Sequence, residues 1–254
     1  MAFDNYAQFY DLLNTEKNYS QESYYVNDLI KANFNNRLVN ILELGSGSAK
    51  HAVFLSEFDN IASIFGVELS ENMVKIANRK QIPKFKCMVG DIGKLNSLEI
   101  HRKFDVAISL FHVISYLTSW EDLVNCLKST NNLLDVNGLF IFDVWYTPAV
   151  YFKRPEMRKR VFENRDFKII RIANSQMNEA KSIVNVDFDF FVENKQNNVV
   201  SYFCENHRMR HFTTAEIEIV SSFCGFEILE SHEFYTKNTP SVETWGVTFV
   251  LKKK

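Results

Sequence analysis

The sequence predicts an α/β protein built on a mostly parallel sheet, with helices on both faces and one antiparallel insertion. Apolar runs alternate with amphipathic stretches five times over the first 145 residues, a pattern typical of a doubly wound parallel sheet. After about residue 150, apolar and polar residues alternate one by one, as in antiparallel strands with one solvated face. The 254 residues suffice for one large domain with such an insertion.

The first five strands are predicted from continuous apolar runs, because buried parallel strands lack polar alternation. They cover residues 38–44, 61–68, 85–89, 104–111 and 139–144. Helices are predicted before and between them, at 20–35, 51–58, from the N-cap Ser70 onward, and at 120–134, where Asn137-Gly138 marks a stop. Ligands of such sheets bind beyond the carboxyl ends of the strands, so strand-terminal residues are the candidates for a site.

The second half carries the insertion and the return to the core. Alternating runs at 167–172, 182–192 and 199–203 predict antiparallel strands, and apolar runs at 226–229 and 247–251 predict the last two core strands. Between them, Thr213 and Glu216 form a capping-box pattern that begins a helix. We expect a Rossmann-like, seven-stranded core of residues 1–145 and 211–254, and a substrate lid of residues 146–210 inserted after the fifth strand.

Charge argues against a nucleic-acid partner. The 29 Lys and Arg residues are balanced by 31 Asp and Glu residues, for a net charge of -2, whereas nucleic-acid binding normally needs a basic face. The local run of Arg154, Arg158, Lys159 and Arg160 is interpreted as a solvated loop or helix face.

Composition also bears on metal binding, on membrane-spanning segments and on the cellular compartment of the protein. The four cysteines form no CxxC pair, and no Asp or His cluster has metal-ligand spacing, so we expect no metal. No stretch approaches the roughly 18 apolar residues of a membrane span. The first residues lack a basic and an apolar leader segment, so we expect a cytoplasmic protein without a membrane partner.

The first strand ends in a glycine-containing turn, Glu43-Leu-Gly-Ser-Gly47. Gly45 and Gly47 let a ligand approach the backbone where a Cβ would clash. The dinucleotide-binding fingerprint needs a further glycine where Lys50 stands, which disfavours a nucleotide-dependent dehydrogenase. Taken alone, the turn is equally compatible with a tight structural turn.

Acidic residues end the next two strands. Glu68 can accept hydrogen bonds from both hydroxyls of a ribose, and Asp91, after Gly90, can receive an adenine amino group. Met73, at the start of the following helix, is placed to pack on the adenine. Each acid alone is more often a capping or turn residue, but acids at three successive strand ends favour an adenosyl site.

These motifs resemble those of class I S-adenosylmethionine-dependent methyltransferases. The resemblance rests on Glu43-Leu-Gly-Ser-Gly, Val67-Glu-Leu-Ser-Glu-Asn-Met73, Gly90-Asp-Ile92 and Phe104-Asp-Val-Ala-Ile108. Ala49 replaces the third glycine usual in the family. The resemblance implies S-adenosyl-L-methionine as cofactor, held by Glu43, Gly45, Ser46, Gly47, His51, Glu68, Leu69, Met73, Gly90, Asp91, Ile92 and Leu110.

A narrower resemblance extends over nearly the whole chain. Tyr6-Ala-Gln-Phe-Tyr-Asp-Leu12, Gly47-Ser-Ala-Lys-His51, Phe111-His-Val-Ile-Ser-Tyr-Leu117, Asp143-Val-Trp145 and Glu205-Asn-His-Arg208 are similar to bacterial enzymes that N-methylate nucleotide-linked deoxyamino sugars. It implies that Tyr6 and Tyr19 close over the cofactor, with Tyr10 beside the substrate. The alternative is that these tyrosines only pack an amphipathic N-terminal helix.

The methyl acceptor depends on residues around the fourth and fifth strands. An amine needs only deprotonation, whereas a sugar hydroxyl needs a positioned base. His112 is a candidate base and favours a hydroxyl, because the aminosugar enzymes carry a small polar residue there. Tyr116 stands where those enzymes tend to carry a histidine and is a second catalytic candidate. The other substrate-binding candidates are Asp143, Trp145, Trp245 and, in the lid, Glu205, His207 and Arg208.

The sequence therefore predicts an S-adenosylmethionine-dependent methyltransferase acting on a small molecule. A sugar or nucleotide-linked sugar, methylated at nitrogen or oxygen, is favoured. The alternatives are another metabolite or natural product as acceptor, or a non-catalytic adenosyl-binding module. A homodimer is compatible with the sequence.

Overall fold

The computed structural model describes residues 7–254, so Tyr6 lies outside the described residues. The eleven strands are β1 (Val39–Leu44), β2 (Ile61–Glu68), β3 (Phe85–Val89), β4 (Phe104–Ser109), β5 (Leu134–Tyr146), β6 (Arg158–Glu163), β7 (Phe167–Asn178), β8 (Ile183–Asn194), β9 (Val199–Phe212), β10 (Phe226–Glu233) and β11 (Gly246–Lys253). The α-helices are α1 (Tyr10–Leu13), α2 (Tyr19–Phe34), α3 (Lys50–Leu55), α4 (Glu71–Arg79), α5 (Trp120–Leu133), α6 (Thr147–Phe152) and α7 (Thr214–Phe223).

Seven strands form the core sheet in the order β3-β2-β1-β4-β5-β11-β10. The first five are mutually parallel, and β11 runs antiparallel to β5 and β10. The strand order reverses between β1 and β4, which creates a crevice at their carboxyl ends. The predicted fold class is confirmed.

Helices cover both faces of this sheet because its strands are apolar on both sides. Every residue of β4 is buried. On one face Leu123 and Leu127 of α5 pack with Ile217 of α7. On the other face Leu29 of α2 packs with Leu55 of α3. Burying apolar surface in two layers fixes the sheet between the helices and leaves the strand ends free to form a site.

The inserted sheet consists of β6–β9, four antiparallel strands in sequence order. It joins the core where β9 pairs with the end of β5 in parallel, at Trp145 with His211 and Tyr146 with Phe212. Its inner face packs against the N-terminal segment, where Phe9 stacks on Phe203 at 6.2 Å between ring centroids. The N-terminal helices therefore connect the inserted sheet to the core.

Two local predictions were wrong. The basic run around Arg158 lies in strand β6, not in a loop or helix. Strand β5 begins at Leu134 rather than at residue 139, and Asn137, with φ 61°, lies inside it rather than at the end of the preceding helix. Strand β9 continues to Phe212, and the division between core and lid at residue 210 stays a prediction.

No helix within residues 7–254 is long and apolar enough to cross a membrane. The same residues contain no group of three or more His, Cys, Asp or Glu side chains arranged to hold a metal ion.

The capping box at the start of α7 offers a test of the fold. The backbone N–H of Glu216 donates to Thr213 Oγ1 at 3.2 Å, and the backbone N–H of Thr213 donates to Glu216 Oε2 at 2.8 Å. We expect Thr213→Ala to lower the free energy of unfolding by about 1 kcal/mol, measured by urea denaturation. The exposed Ser222→Ala in the same helix is the control and should cause no loss; an equal loss in both variants would contradict the role of the cap.

Candidate active site

A cavity of about 690 Å³ lies beyond the carboxyl ends of β1, β2 and β4 and extends to the inserted sheet. Most of the predicted site residues line it, although they come from distant parts of the sequence. They are Tyr10, Tyr19, Gly45, Ser46, Gly47, His51, Glu68, Leu69, Met73, Gly90, Asp91, Ile92, Leu110, His112, Tyr116, Trp145, His207 and Trp245.

The turn after β1 requires its glycines. Gly45 has φ +74°, and a Cβ on it would lie 2.5 Å from Val113 Cγ1. Gly47 has φ +53°, and a Cβ on it would lie in ordinary contact with the Tyr10 hydroxyl, at 3.8 Å. Ala49, where the third glycine is usual, also has a left-handed φ of 63°; its methyl group is fully buried, and this packing offsets the strain.

Hydrogen bonds to the Glu68 carboxylate connect this turn to the end of β2. Its Oε2 accepts from the backbone N–H of Gly47, and its Oε1 accepts from that of Ser70, each at 2.9 Å. Burial raises the pKa of Glu68, while the backbone donors oppose that shift. The backbone N–H of Leu69 is a third donor to this carboxylate, whose remaining acceptor capacity suits a ribose hydroxyl.

The neighbouring wall offers an apolar surface for a flat ring. Met73 and Ile92 are buried, with 1% and 8% exposure, and still border the cavity. Asp91 accepts from the backbone N–H of Gly93 at 2.9 Å, which fixes the loop after β3. This arrangement suits an adenine that stacks between side chains and donates its amino group to an acidic loop.

Glu43 lies behind the glycine turn rather than on the cavity wall. It is 2% exposed, and burial raises its pKa to about 8. Its Oε2 has no hydrogen-bond partner among residues 7–254. A glycine cradle backed by an unpartnered carboxyl oxygen fits a ligand that brings a cationic amine, as the methionyl part of S-adenosylmethionine does.

The N-terminal segment reaches the cavity through a buried ion-pair network. His51 Nε2 lies 2.8 Å from Glu22 Oε2, and Lys17 Nζ lies 2.5 Å from Glu22 Oε1. The Lys17 ammonium also lies 4.0 Å from the ring centroid of Phe111. Burial lowers the pKa of His51, although Glu22 opposes that shift. These contacts hold Tyr19 edge-on to His51 at 5.0 Å.

His112 stands at the cavity wall directly after β4, in a constrained conformation. Phe111 and His112 both have left-handed φ angles, 69° and 61°, which is costly for residues with a Cβ. The backbone N–H of His112 donates to Asp143 Oδ2 at 3.0 Å, and the ring Nδ1 lies 2.6 Å from the same oxygen. Asp143 is fully buried. The contact at Nδ1 lacks hydrogen-bond geometry, so Asp143 fixes the backbone of His112 and lies close behind its ring, while Nε2 is the ring nitrogen that does not face the carboxylate.

A second histidine approaches from the inserted sheet. His207 Nδ1 lies 2.7 Å from the Tyr116 hydroxyl, and His207 Nε2 lies 3.3 Å from Glu205 Oε2. Tyr116 belongs to the core and His207 to β9, so this contact joins the two sheets across the cavity. The Trp145 and Trp245 rings, 5.7 Å apart at 87°, form an aromatic wall nearby.

Four predicted residues do not lie on the wall. Glu43, Asp143 and Glu205 are buried behind it and act on the cavity only through neighbours. Arg208 is exposed, because side chains alternate along β9 and the residues at 205 and 207 face inward. The predicted contacts of these four residues with cofactor or substrate stay predictions.

Sequence reasoning missed two cationic residues on the wall, Arg158 of β6 and Arg171 of β7. Arg171 lies 5.1 Å from the ring centroids of both Phe162 and Phe188. The alternation in β7 was visible in the sequence, but nothing there said which face turns toward the cavity. Glu156 also borders this end and reduces its positive charge.

Residues 41–138 match a family model described as a methyltransferase domain. The chain carries a methyltransferase domain. This match agrees with the glycine turn, Glu68 and Asp91, all of which fall within it. The predicted enzyme class, a methyltransferase, is confirmed, and one of the similar solved structures is described as an S-adenosylmethionine-dependent methyltransferase.

Three relatives extend the similarity beyond the domain. A Streptomyces venezuelae dTDP-3-amino-3,4,6-trideoxy-alpha-D-glucopyranose N,N-dimethyltransferase is 26% identical over 88% of this chain and 91% of its own. An S-adenosylmethionine-dependent methyltransferase from Clostridium acetobutylicum superposes with a TM-score of 0.80, at 22% identity, over 100% of this chain and 99% of its own. The sugar N-methyltransferase KedS8 from Streptoalloteichus has a TM-score of 0.78, at 20% identity, over 95% and 92%. The two solved structures share the fold of this methyltransferase, inserted sheet included.

The assigned cofactor residues can be tested by binding. We expect calorimetry to show S-adenosylmethionine binding to the wild-type protein and about 100-fold weaker binding to Glu68→Ala, because the variant loses the charged acceptor and frees the glycine turn. Glu71→Ala, with a side chain that is 73% exposed three residues away, is the control and should bind normally. Binding of NADH in place of S-adenosylmethionine would contradict the assignment.

Proposed function

We propose that this methyltransferase methylates a sugar or nucleotide-linked sugar held between the core and a lid formed by residues 146–210, and that His112 is the general base. The contact of His112 with the buried Asp143 carries the proposal. It favours a hydroxyl over an amine as the acceptor, because a hydroxyl must lose its proton to a positioned base during transfer.

Bound S-adenosylmethionine supplies an activated methyl group on a sulfonium. What the chain must contribute is alignment and deprotonation. The Asp143 carboxylate lies 2.6 Å from Nδ1, and its negative charge favours a proton on that nitrogen and therefore the tautomer with its lone pair on Nε2. The left-handed backbone at Phe111 and His112 fixes where the His112 side chain leaves the end of β4. His112 can therefore take the acceptor's proton as the new bond to carbon forms.

The remaining wall suits a sugar ring with a charged extension. Trp145 and Trp245 offer flat aromatic faces, and the hydrogen-bonded Tyr116 and His207 offer polar groups for hydroxyls. Arg158 and Arg171 border the same cavity, and guanidinium groups match the geometry of phosphate oxygens. The dTDP-aminosugar enzyme from Streptomyces venezuelae supports a nucleotide-linked acceptor by similarity alone.

The same proposal places the protein in a reducing compartment, the cytoplasm. All four cysteines are free, and two of them, Cys126 and Cys224, are buried as small apolar side chains. A non-catalytic adenosyl-binding module is disfavoured, since it would not need a buried carboxylate behind His112.

The base assignment predicts a clean separation between binding and turnover. Sugar nucleotides and free sugars are first screened with the wild-type enzyme by mass spectrometry for a gain of one methyl group. With the acceptor found, we expect His112→Ala to lower kcat by about 10²–10⁴-fold and to leave the Kd for S-adenosylmethionine unchanged. The exposed His101→Ala is the control. Full turnover by His112→Ala would contradict the proposal that His112 is the general base and would favour an amine as the acceptor.

The proposed contact between Arg158 and the phosphate groups of a nucleotide-linked acceptor can be tested separately. We expect Arg158→Ala to raise KM for a nucleotide-linked acceptor by about tenfold, because a hydrogen bond to a charged group is lost, and to leave KM for the matching free sugar unchanged. Lys159→Ala, on the opposite face of β6, is the control. Equal KM changes for both acceptors would rule out a phosphate contact at Arg158.

A further inference from the structure

Lys17 lies between α1 and α2, and its side chain is largely withdrawn from water. The side chain is only 11% exposed, whereas lysine is almost never buried. Its ammonium nitrogen lies 4.0 Å from the ring centroid of Phe111 and 5.4 Å from that of Phe234. Both of these rings lie beside the His112 ring. The contacts of Lys17 therefore connect the N-terminal segment with the surroundings of His112.

Glu22 fixes the position of the Lys17 ammonium. Its Oε1 lies 2.5 Å from Lys17 Nζ, its Oε2 lies 2.8 Å from His51 Nε2, and the residue is 4% exposed. Burial lowers the pKa of His51, which favours the neutral ring and leaves Lys17 to balance the charge of the carboxylate. A buried carboxylate that loses its cation is strongly destabilised, and a desolvated ammonium attracts an aromatic ring more strongly than an exposed one. Lys17 is therefore held against Phe111.

The turn that Lys17 contacts has a strained backbone. Phe111 and His112 both have left-handed φ angles, and such a conformation persists only where the surroundings fix it. The backbone hydrogen bond from His112 to Asp143 fixes the turn from the side of β5. Lys17 contacts Phe111 and Phe234, and so supports the turn from the side of the N-terminal segment.

The N-terminal segment that carries Lys17 also lies against the cofactor half of the cavity. Tyr10 and Tyr19, before and after Lys17 in the sequence, line the cavity together with the glycine turn. Asp11 accepts a hydrogen bond from Ser48 Oγ at 2.8 Å, directly after that turn. A ligand in the cofactor half can therefore contact the same segment that supports the turn after β4.

We propose that Lys17 is a positioning residue, which makes the placement of the Phe111–His112 turn depend on the N-terminal segment. While this segment lies against the cofactor half, the Lys17 ammonium holds Phe111 and thereby places His112. Cofactor binding against the segment stabilises this arrangement, so the acceptor half is complete only after the cofactor has bound. The effect on methyl transfer rests on the proposed role of His112, whereas the link between the segment and the turn does not.

Amide hydrogen exchange tests this link without an acceptor. Lys17→Met keeps an unbranched side chain and loses the charge. We expect its His112 N–H to exchange about tenfold faster than in wild type, because the turn loses a desolvated cation–π contact. S-adenosylhomocysteine should slow this exchange in wild type and have little effect on it in Lys17→Met.

Lys31→Met is the matched control, since Lys31 is exposed and its ammonium lies 5.8 Å from the ring centroid of Phe58, outside the cavity wall. Exchange at His112 should equal wild type in this variant. An unchanged rate at His112 in Lys17→Met would overturn the proposal. Equal acceleration throughout the core sheet would also overturn it, because it would show only a general loss of stability.

Phe111→Leu gives the reciprocal test and keeps the Lys17–Glu22 ion pair, so it serves even if Lys17→Met does not fold. Coupling between two sites acts in both directions. The backbone N–H groups of Lys17 and Tyr19 donate to Asn14 O at 3.2 Å and to Lys17 O at 3.1 Å. We expect both to exchange faster in Phe111→Leu, and wild-type rates at both would contradict the coupling.

Turnover, once an acceptor is found, separates positioning from a general structural role. We expect kcat of Lys17→Met to fall about tenfold and Lys17→Arg to restore it, because a guanidinium also pairs with a carboxylate and stacks on aromatic rings. Lys17→Met combined with Phe111→Leu should lose no more than the larger single loss, since both changes break the same contact. Losses that multiply would contradict a role through Phe111. If His112→Ala keeps full turnover while the exchange results hold, the base assignment fails and Lys17 still positions the turn.

Discussion

The carboxylate of Glu68 is the interaction on which the rest of the site depends. It accepts from the backbone of two separate turns, at Gly47 and Ser70, and so fixes the ends of β1 and β2 relative to one another. Both turns have backbone N–H groups that would otherwise be unpaired in a buried region. The cradle for the cofactor exists because one side chain satisfies both.

Two histidines meet the cavity from opposite sides, and each is backed by a buried carboxylate. His112 belongs to the core and is held by Asp143, whereas His207 belongs to the inserted sheet and contacts Glu205. The core pair is rigid because two contacts and a strained backbone define it. The other pair also contacts Tyr116 of the core, so it couples the position of the inserted sheet to the side chains around the acceptor.

Sequence reasoning predicted the strand ends and helix starts beside the cavity because their signals are local. The end of β2 and the N-cap at Ser70 follow from short apolar runs and turn chemistry. Strand β6 was not predicted, because a run of basic residues is typical of a solvent-exposed loop or helix face. Arg158 of this strand nevertheless lines the cavity. The partnership of His112 with Asp143, 31 residues apart, depends on the pairing of β4 with β5 and on a left-handed turn, which no local pattern encodes.

The inserted sheet leaves and rejoins the core at neighbouring points, since Tyr146 at its start pairs with Phe212 at its end. No core strand separates the two connections. A different run of residues could be spliced between them while every parallel pairing of the core stayed intact, provided that its inner face still received Phe9. The part of the cavity wall formed by Arg158, Arg171 and His207 thus comes from one contiguous stretch of sequence, and exchanging that stretch would leave the glycine turn and the end of β2 unchanged.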